Sequence, residues 1–191
     1  MNQLKKIYNM KKISTLFKKN PDNLGRVINE VAEENKWVLS YGIPTVKFDG
    51  TSCAVIKGNL YKRFDLKKGR VLPPNSIPCQ EPDEKTGHHP HWTPCSREDK
   101  SDKYHFEAFD RNKSWEDGTY ELIGPKIQGN PEGVPMHQLI RHGSIICRTR
   151  DFSFEALKIF LDANNMEGIV FHNIYDNRMC KIRKKDFGFK R

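Results

Sequence analysis

Apolar positions recur along this chain in two rhythms, and each rhythm predicts an element. Leu24, Val27, Ile28, Val31 and Ala32 fall at the three- and four-residue spacing of one helix face, and Pro21 with Asp22 suits the start of a helix. Phe154, Leu157, Phe160 and Leu161 repeat that spacing, with Asp151 or Ser153 as the cap. The other apolar runs are short and β-type. CAVIK (53–57) and LYKRF (60–64) flank Gly58-Asn59, a hairpin signal. YHFEAF (104–109), TYELI (119–123), SIICR (144–148), GIVFH (168–172) and MCKIR (179–183) read as further strands. The polar, proline-rich stretch from Asp65 to Lys103 reads as a long loop of the functional or mobile kind. Strands predominate without βαβ alternation or internal repeats. The expected class is α+β, with mainly antiparallel sheets flanked by helices.

Charge changes this picture at the chain's start. Residues 1–20 are rich in lysine and contain no acid, which predicts a basic N-terminal arm ahead of one domain over 21–191. With 191 residues, one buried core is the expectation. The formal net charge of +9 favours polyanionic partners, against the plainer alternative that it serves solubility. No apolar stretch is long enough to span a membrane, and the N-terminus lacks the apolar core of a secretory signal. Five cysteines at irregular spacings argue against a disulfide framework, so the chain reads as intracellular and cytoplasmic.

Candidate chemistry begins in IPTVKFDGT (43–51). Lys47 ends an apolar run just before Asp49-Gly50. An amine held against apolar neighbours is easier to deprotonate, and a neutral amine is a nucleophile. The alternative is that Lys47 ends a strand and points outward. Four further features follow in order. Arg63 lies on the second hairpin strand, and Glu121 on an apolar strand. Glu167 opens another strand, and Lys181 and Arg183 stand two apart, hence on one strand face. Together these could attack a nucleoside triphosphate: an amine for the α-phosphorus, cations for phosphate charge, and carboxylates for a metal or ribose hydroxyls.

Lys47-Phe48-Asp49-Gly50, Tyr120-Glu121-Leu122-Ile123-Gly124, Glu167-Gly168-Ile169-Val170 and Lys181-Ile182-Arg183 resemble motifs I, III, IV and V of the covalent nucleotidyltransferases, the ATP-dependent ligases and mRNA capping enzymes. The longer stretches KFDGT, YELIGPKIQGNPEG, HGSIICR and EGIVFHN are similar to the small eukaryotic and viral 5′-3′ RNA ligases. The resemblance runs from about Ile43 to Phe189.

This resemblance implies a ligase-type adenylation domain and a lysyl-AMP intermediate on Lys47, with ATP and Mg²⁺ (or Mn²⁺) as cofactors. It implies a monomer acting on RNA with 5′-phosphate and 3′-hydroxyl ends. Val46, Asp49, Gly50, Arg63, Glu121, His142, Glu167, Lys181 and Arg183 would contact the nucleotide, with Glu167 also placing the metal. His142 or Phe109 is the candidate for stacking on the base. Arg183 stands where the family usually has lysine. The sequence stops soon after motif V, where DNA ligases and capping enzymes append an OB-fold domain, so the expectation is a domain without one. The alternatives are a GTP-dependent capping guanylyltransferase and a non-catalytic basic RNA-binding protein of the same fold.

CQEPDEKTGHHPHWTPC (79–95) raises a separate question. Cys79, His88, His89, His91 and Cys95 are potential zinc ligands, but no Cys-x-x-Cys or His-x-x-x-His pair fixes a geometry. A polar loop facing the substrate is the favoured reading. Trp92 is a candidate for stacking on an RNA base, or for pinning the loop to the domain.

Overall fold

In chain order, the computed structural model, which describes residues 13–83 and 87–190, begins with strands β1 (Ser14–Thr15), β2 (Phe17–Asn20) and β3 (Asn23–Val31). A short helix α1 (Val38–Tyr41) leads into β4 (Gly42–Lys47), β5 (Thr51–Ile56) and β6 (Asn59–Leu66). Then come β7 (Ile77–Pro78), β8 (His89–Pro94), α2 (Lys103–Phe109), β9 (Gly118–Ile123) and β10 (Gln138–Arg141). The chain closes with α3 (Phe154–Ala163), β11 (Gly168–Asn173), β12 (Met179–Arg183) and α4 (Lys184–Phe187). This is a mixed α+β fold with largely antiparallel sheets and few helices. Among the described residues no helix is long and apolar enough to cross a membrane.

The chain divides into two compact units. Gly50–His142 make a continuous unit, and residues 13–49 and 143–190 make a split unit. In the continuous unit one sheet runs in the order β10-β9-β5-β6-β8-β7, with every pairing antiparallel. Alternation along β5 sends Cys53 and Val55 to one face, where they meet Leu60, Tyr120, Leu122 and α2, and Ala54 and Ile56 to the other, against Trp92 and Cys79. The expected β5–β6 hairpin forms, with its turn one residue earlier than Gly58-Asn59 and with Asn59 already in β6. Its turn residues are Lys57 and Gly58, both at positive φ, as a two-residue hairpin loop demands.

The split unit holds a four-stranded sheet, β1-β12-β11-β4, antiparallel except where β1 lies parallel to β12, and a β2–β3 ribbon. Ile169, Phe171, Cys180 and Ile182 fill one face of the sheet and pack with Leu157 and Leu161 of α3. The Ser153 hydroxyl caps α3 by accepting from the Ala156 N–H at 3.4 Å.

Four sequence expectations are corrected. The helix expected near 22–32 is β3. Pro21 and Asp22 form the turn of the ribbon, and the Asn20 side chain accepts from the Asp22 N–H at 2.9 Å. Gly25 and the β-branched Val27, Ile28 and Val31 disfavour helix, and Val27 and Val31 on one strand face reach the core while Leu24 stays exposed. The strand expected at 104–109 is α2, which buries His105 and Ala108. The stretch 144–148 makes only an isolated bridge, Thr45 to Ile146, outside any named strand. The long loop after Asp65 contains β8, paired with β6 from Tyr61 to Leu66, so Trp92 is fully buried and a wall of the core. Of the stretch expected as a basic arm, residues 1–12 lie outside the described residues. Residues 14–20 supply β1 and β2, held by buried Leu16 and Phe17.

Candidate functional site

The register of the split unit's sheet assembles four of the expected residues. Gly168 on β11 pairs with Lys47 on β4 and with Arg183 on β12, so Lys47 and Arg183 flank it in one row on one face. Lys181 lies one row along, opposite Val170, with its side chain on the same face. Gly168 cannot be larger, because a Cβ there would come within 2.3 Å of the Ile182 carbonyl oxygen and 2.8 Å of the Arg183 Cα. Glu167, one residue before β11, forms an ion pair and hydrogen bond with the Lys47 ammonium. The side chains of this pair are 24% and 20% exposed, enough to be reached by a ligand. Thr45 and His172 extend the same polar face, joined at 3.0 Å.

Two basic residues on this face differ in their freedom. Burial, followed by repulsion from Arg183 and Lys47, pushes Lys181 down to about 8. Arg183 is held by Asp186, which is fully buried. The guanidinium donates from Nε at 3.0 Å and from Nη2 at 2.9 Å, and the Arg183 backbone N–H donates to the same carboxylate at 3.0 Å. Lys19 on β2 adds a fourth donor at 2.7 Å. Burial raises Asp186, but the bonds from Arg183 and Lys19 outweigh it and hold its carboxyl below the ordinary range. Asp186 escaped the sequence reading. Its signal was the Arg-x-x-Asp spacing at the end of β12.

Val46 points the other way. Its side chain packs on the core, and only its backbone lies beside Lys47, with its N–H donating to the Ile145 carbonyl at 2.8 Å. Asp49 ends the first segment of the split unit and is partly buried.

Gly50, Arg63, Glu121 and His142 belong to the continuous unit. Glu121 on β9 is nearly buried and has three donors. These are the Gly50 N–H at 3.0 Å, the Ser52 hydroxyl at 3.3 Å and His142 Nε2 at 2.8 Å. Gly50 is pressed against β9, where a Cβ would lie 2.1 Å from the Leu122 carbonyl oxygen. His142 is therefore a partner of Glu121. Phe109 stacks on Trp115 with centroids 5.8 Å apart and an angle of 12°, which occupies a ring face proposed for a base. Arg63 on β6 bonds Asp65 at 3.1 Å.

The expected residues therefore fall into two separate sets, one within each unit. One is an amine–carboxylate pair with two further cations on one sheet face. The other is a carboxylate oriented by three donors. A divalent cation is the group that the resemblance implies, and the donor chemistry of the first set fits one. Glu167 offers a partly exposed carboxylate, and one or two carboxylates with substrate phosphates make a usual Mg²⁺ environment. Asp186 does not qualify, because each of its two oxygens already accepts two hydrogen bonds from Arg183 and Lys19. No protein-family model matches this chain, and no curated protein matches it.

Proposed function

We propose that the protein is an ATP-dependent RNA ligase that works through a lysyl-AMP on Lys47. The observation that carries this reading is the row Lys47–Gly168–Arg183, with Glu167 on the Lys47 ammonium and Lys181 beside it. An amine, a carboxylate and two cations converge where a triphosphate would be attacked and its charge absorbed. Glu167 would hold the Mg²⁺ (or Mn²⁺), which would supply positive charge to the phosphates.

In the first step the Lys47 amine, its proton lost to water, attacks the α-phosphorus of ATP. The N–P bond forms and the P–O bond to pyrophosphate breaks. A 5′-phosphate oxygen of RNA then attacks the phosphorus of that AMP, and a P–O bond forms as the N–P bond to Lys47 breaks and the amine takes up a proton from water. A 3′-hydroxyl attacks that phosphate, loses its proton to water and releases AMP as the phosphodiester forms. Lys181 supplies positive charge to the phosphate as it builds negative charge. Arg183, anchored by Asp186, supplies a fixed charge beside it.

Intact-mass spectrometry after incubation with ATP and Mg²⁺ tests the reading. A single AMP adduct is expected with wild type and none with Lys47→Ala. Lys47→Arg also stays unmodified, because guanidinium remains protonated and is not nucleophilic. Lys47→Ala still joins pre-adenylated RNA slowly, since that step needs no lysine nucleophile. A GMP adduct in place of AMP makes the protein a guanylyltransferase. An AMP adduct on Lys47→Ala removes Lys47 from the chemistry.

A further inference from the structure

The continuous unit brings together a second group of side chains, far from Lys47 in sequence and composed of different chemistry. Cys95 follows β8, Asp102 precedes α2, and His105 lies in the first turn of α2. A sulfur, a carboxylate oxygen and a ring nitrogen from these three residues lie within 4.8 Å of one another. Asp102 is 1% exposed and His105 8% exposed, while Cys95 is partly exposed. Both ring nitrogens of His105 are buried without a hydrogen-bond partner, an expensive arrangement for a polar ring. Its Nδ1 lies 3.8 Å from Asp102 Oδ1.

We propose that Cys95, Asp102 and His105 bind a zinc ion that staples the end of β8 to α2. Thiolate with imidazole selects zinc over Mg²⁺ and Ca²⁺, which demand oxygen ligands. In a tetrahedral site with bonds of about 2.0–2.3 Å the ligand atoms stand roughly 3.3–3.8 Å apart. The group needs to contract by about 1.5 Å at most to reach that spacing, and the His105–Asp102 pair, at 3.8 Å, by about 0.5 Å. The fourth position falls to water on the partly exposed side of Cys95.

The surroundings already hold one cation, Lys62, with one hydrogen bond on each Asp102 oxygen and one negative charge left over. The Lys62 ammonium donates to Asp102 Oδ1 at 2.5 Å, to Asp99 Oδ2 at 3.1 Å and to the Ser101 hydroxyl at 3.2 Å. The Ser96 N–H donates to Asp102 Oδ2 at 2.9 Å, which orients the carboxylate and ties it to the residue after Cys95. Asp99 and Asp102 together carry one negative charge more than Lys62 offsets. Zn²⁺ with a Cys95 thiolate adds one positive charge, so the ion and its surroundings become neutral as the thiol proton leaves to solvent.

Cobalt(II) is the probe, added to protein first stripped with a chelator. Wild type is expected to develop a thiolate-to-cobalt charge-transfer band and strong visible bands of tetrahedral cobalt, saturating at a single equivalent and erased by zinc. Cys95→Ser is expected to lose the charge-transfer band, and His105→Ala to bind more than ~100-fold more weakly. A His88→Ala/His89→Ala double variant keeps the wild-type spectrum, because those side chains are outside the cluster. Circular dichroism confirms that each variant is folded. The wild-type titration needs no variant, and a wild-type protein with no saturable thiolate band overturns the proposal. An unchanged band in Cys95→Ser overturns it too, by moving the sulfur ligand elsewhere.

Discussion

Lys181→Met is the substitution whose effect follows most directly from the physics of the polar face. Lys181 lies near Lys47 and Arg183, and burial with their repulsion takes its pKa from the ordinary 10.5 to about 8. The folded protein therefore binds this proton less tightly than the unfolded chain does. Between those two values the unfolded state carries more protons, so this residue's contribution to stability rises with pH across that window. Below about 8 the ammonium is retained in the fold at its full penalty, and above about 10.5 no penalty remains. The interval between the two pKa values corresponds to roughly 3 kcal/mol at face value. Solvent screening around this partly buried group reduces that to about 1–2 kcal/mol. Methionine keeps most of the apolar stem and removes the charge. Urea denaturation at several pH values is expected to show Lys181→Met more stable than wild type by about 1 kcal/mol near neutral pH. The gap is expected to close as pH rises through the window. Under the proposed function, AMP loading is expected to fall, because a cation that would neutralise phosphate charge is lost. A gap that does not vary with pH, or a variant less stable than wild type near neutral pH, refutes the reasoning.

Two further outcomes test the frame around that face. Gly168→Ala places a methyl against the Ile182 carbonyl and the Arg183 Cα, and is expected to lower stability by about 1–3 kcal/mol in urea denaturation, together with AMP loading. Asp186→Asn leaves Arg183 and Lys19 short of a charged acceptor and is expected to cost about 3 kcal/mol by the same measurement. Asp186 titrates below its ordinary range in the fold, so its contribution is present above the unfolded carboxyl value and is lost as pH falls through the folded one. The acid limb of the wild-type stability curve is therefore expected to be steeper than that of the asparagine variant.

Legibility in the sequence followed the physics of each element. Strands β9, β11 and β12 and helix α3 were readable because their apolar period and their burial coincide. In β11, for example, Ile169 and Phe171 are both fully buried. The 22–32 stretch misled because a two-stranded ribbon buries only alternate residues. Leu24, 72% exposed, and Ile28 completed a helical spacing that packing never uses. The 104–109 stretch misled in the opposite sense, since its aromatic residues suit a strand and nothing local reveals that a sheet face awaits a helix. That error had a chemical consequence. Read as helix, Asp102 and His105 fall one turn apart, and the Cys95–Asp102–His105 group becomes a visible spacing. Read as strand, only the histidines of the preceding loop remain to suggest a metal.

For the Lys47 face, residue types could be read from the sequence but their pairing could not. Three cations on one sheet face repel, and a fold keeps them there only if acids are placed to hold them. Two acids do so in different ways. Asp186 is buried and saturated with donors, so it fixes Arg183 as part of the frame. Glu167 is partly exposed and contacts the Lys47 ammonium alone among the side-chain partners found for it, so it can exchange that partner for a ligand. Lys181 has no carboxylate of its own at hydrogen-bond distance among the described contacts, and it carries the cost as a depressed pKa. A face built only for stability would neutralise Lys181 as it neutralises Arg183. The cation left under strain beside an exchangeable ion pair is what an anionic ligand would relieve, and that asymmetry is the physical basis for reading this face as a phosphate-handling site.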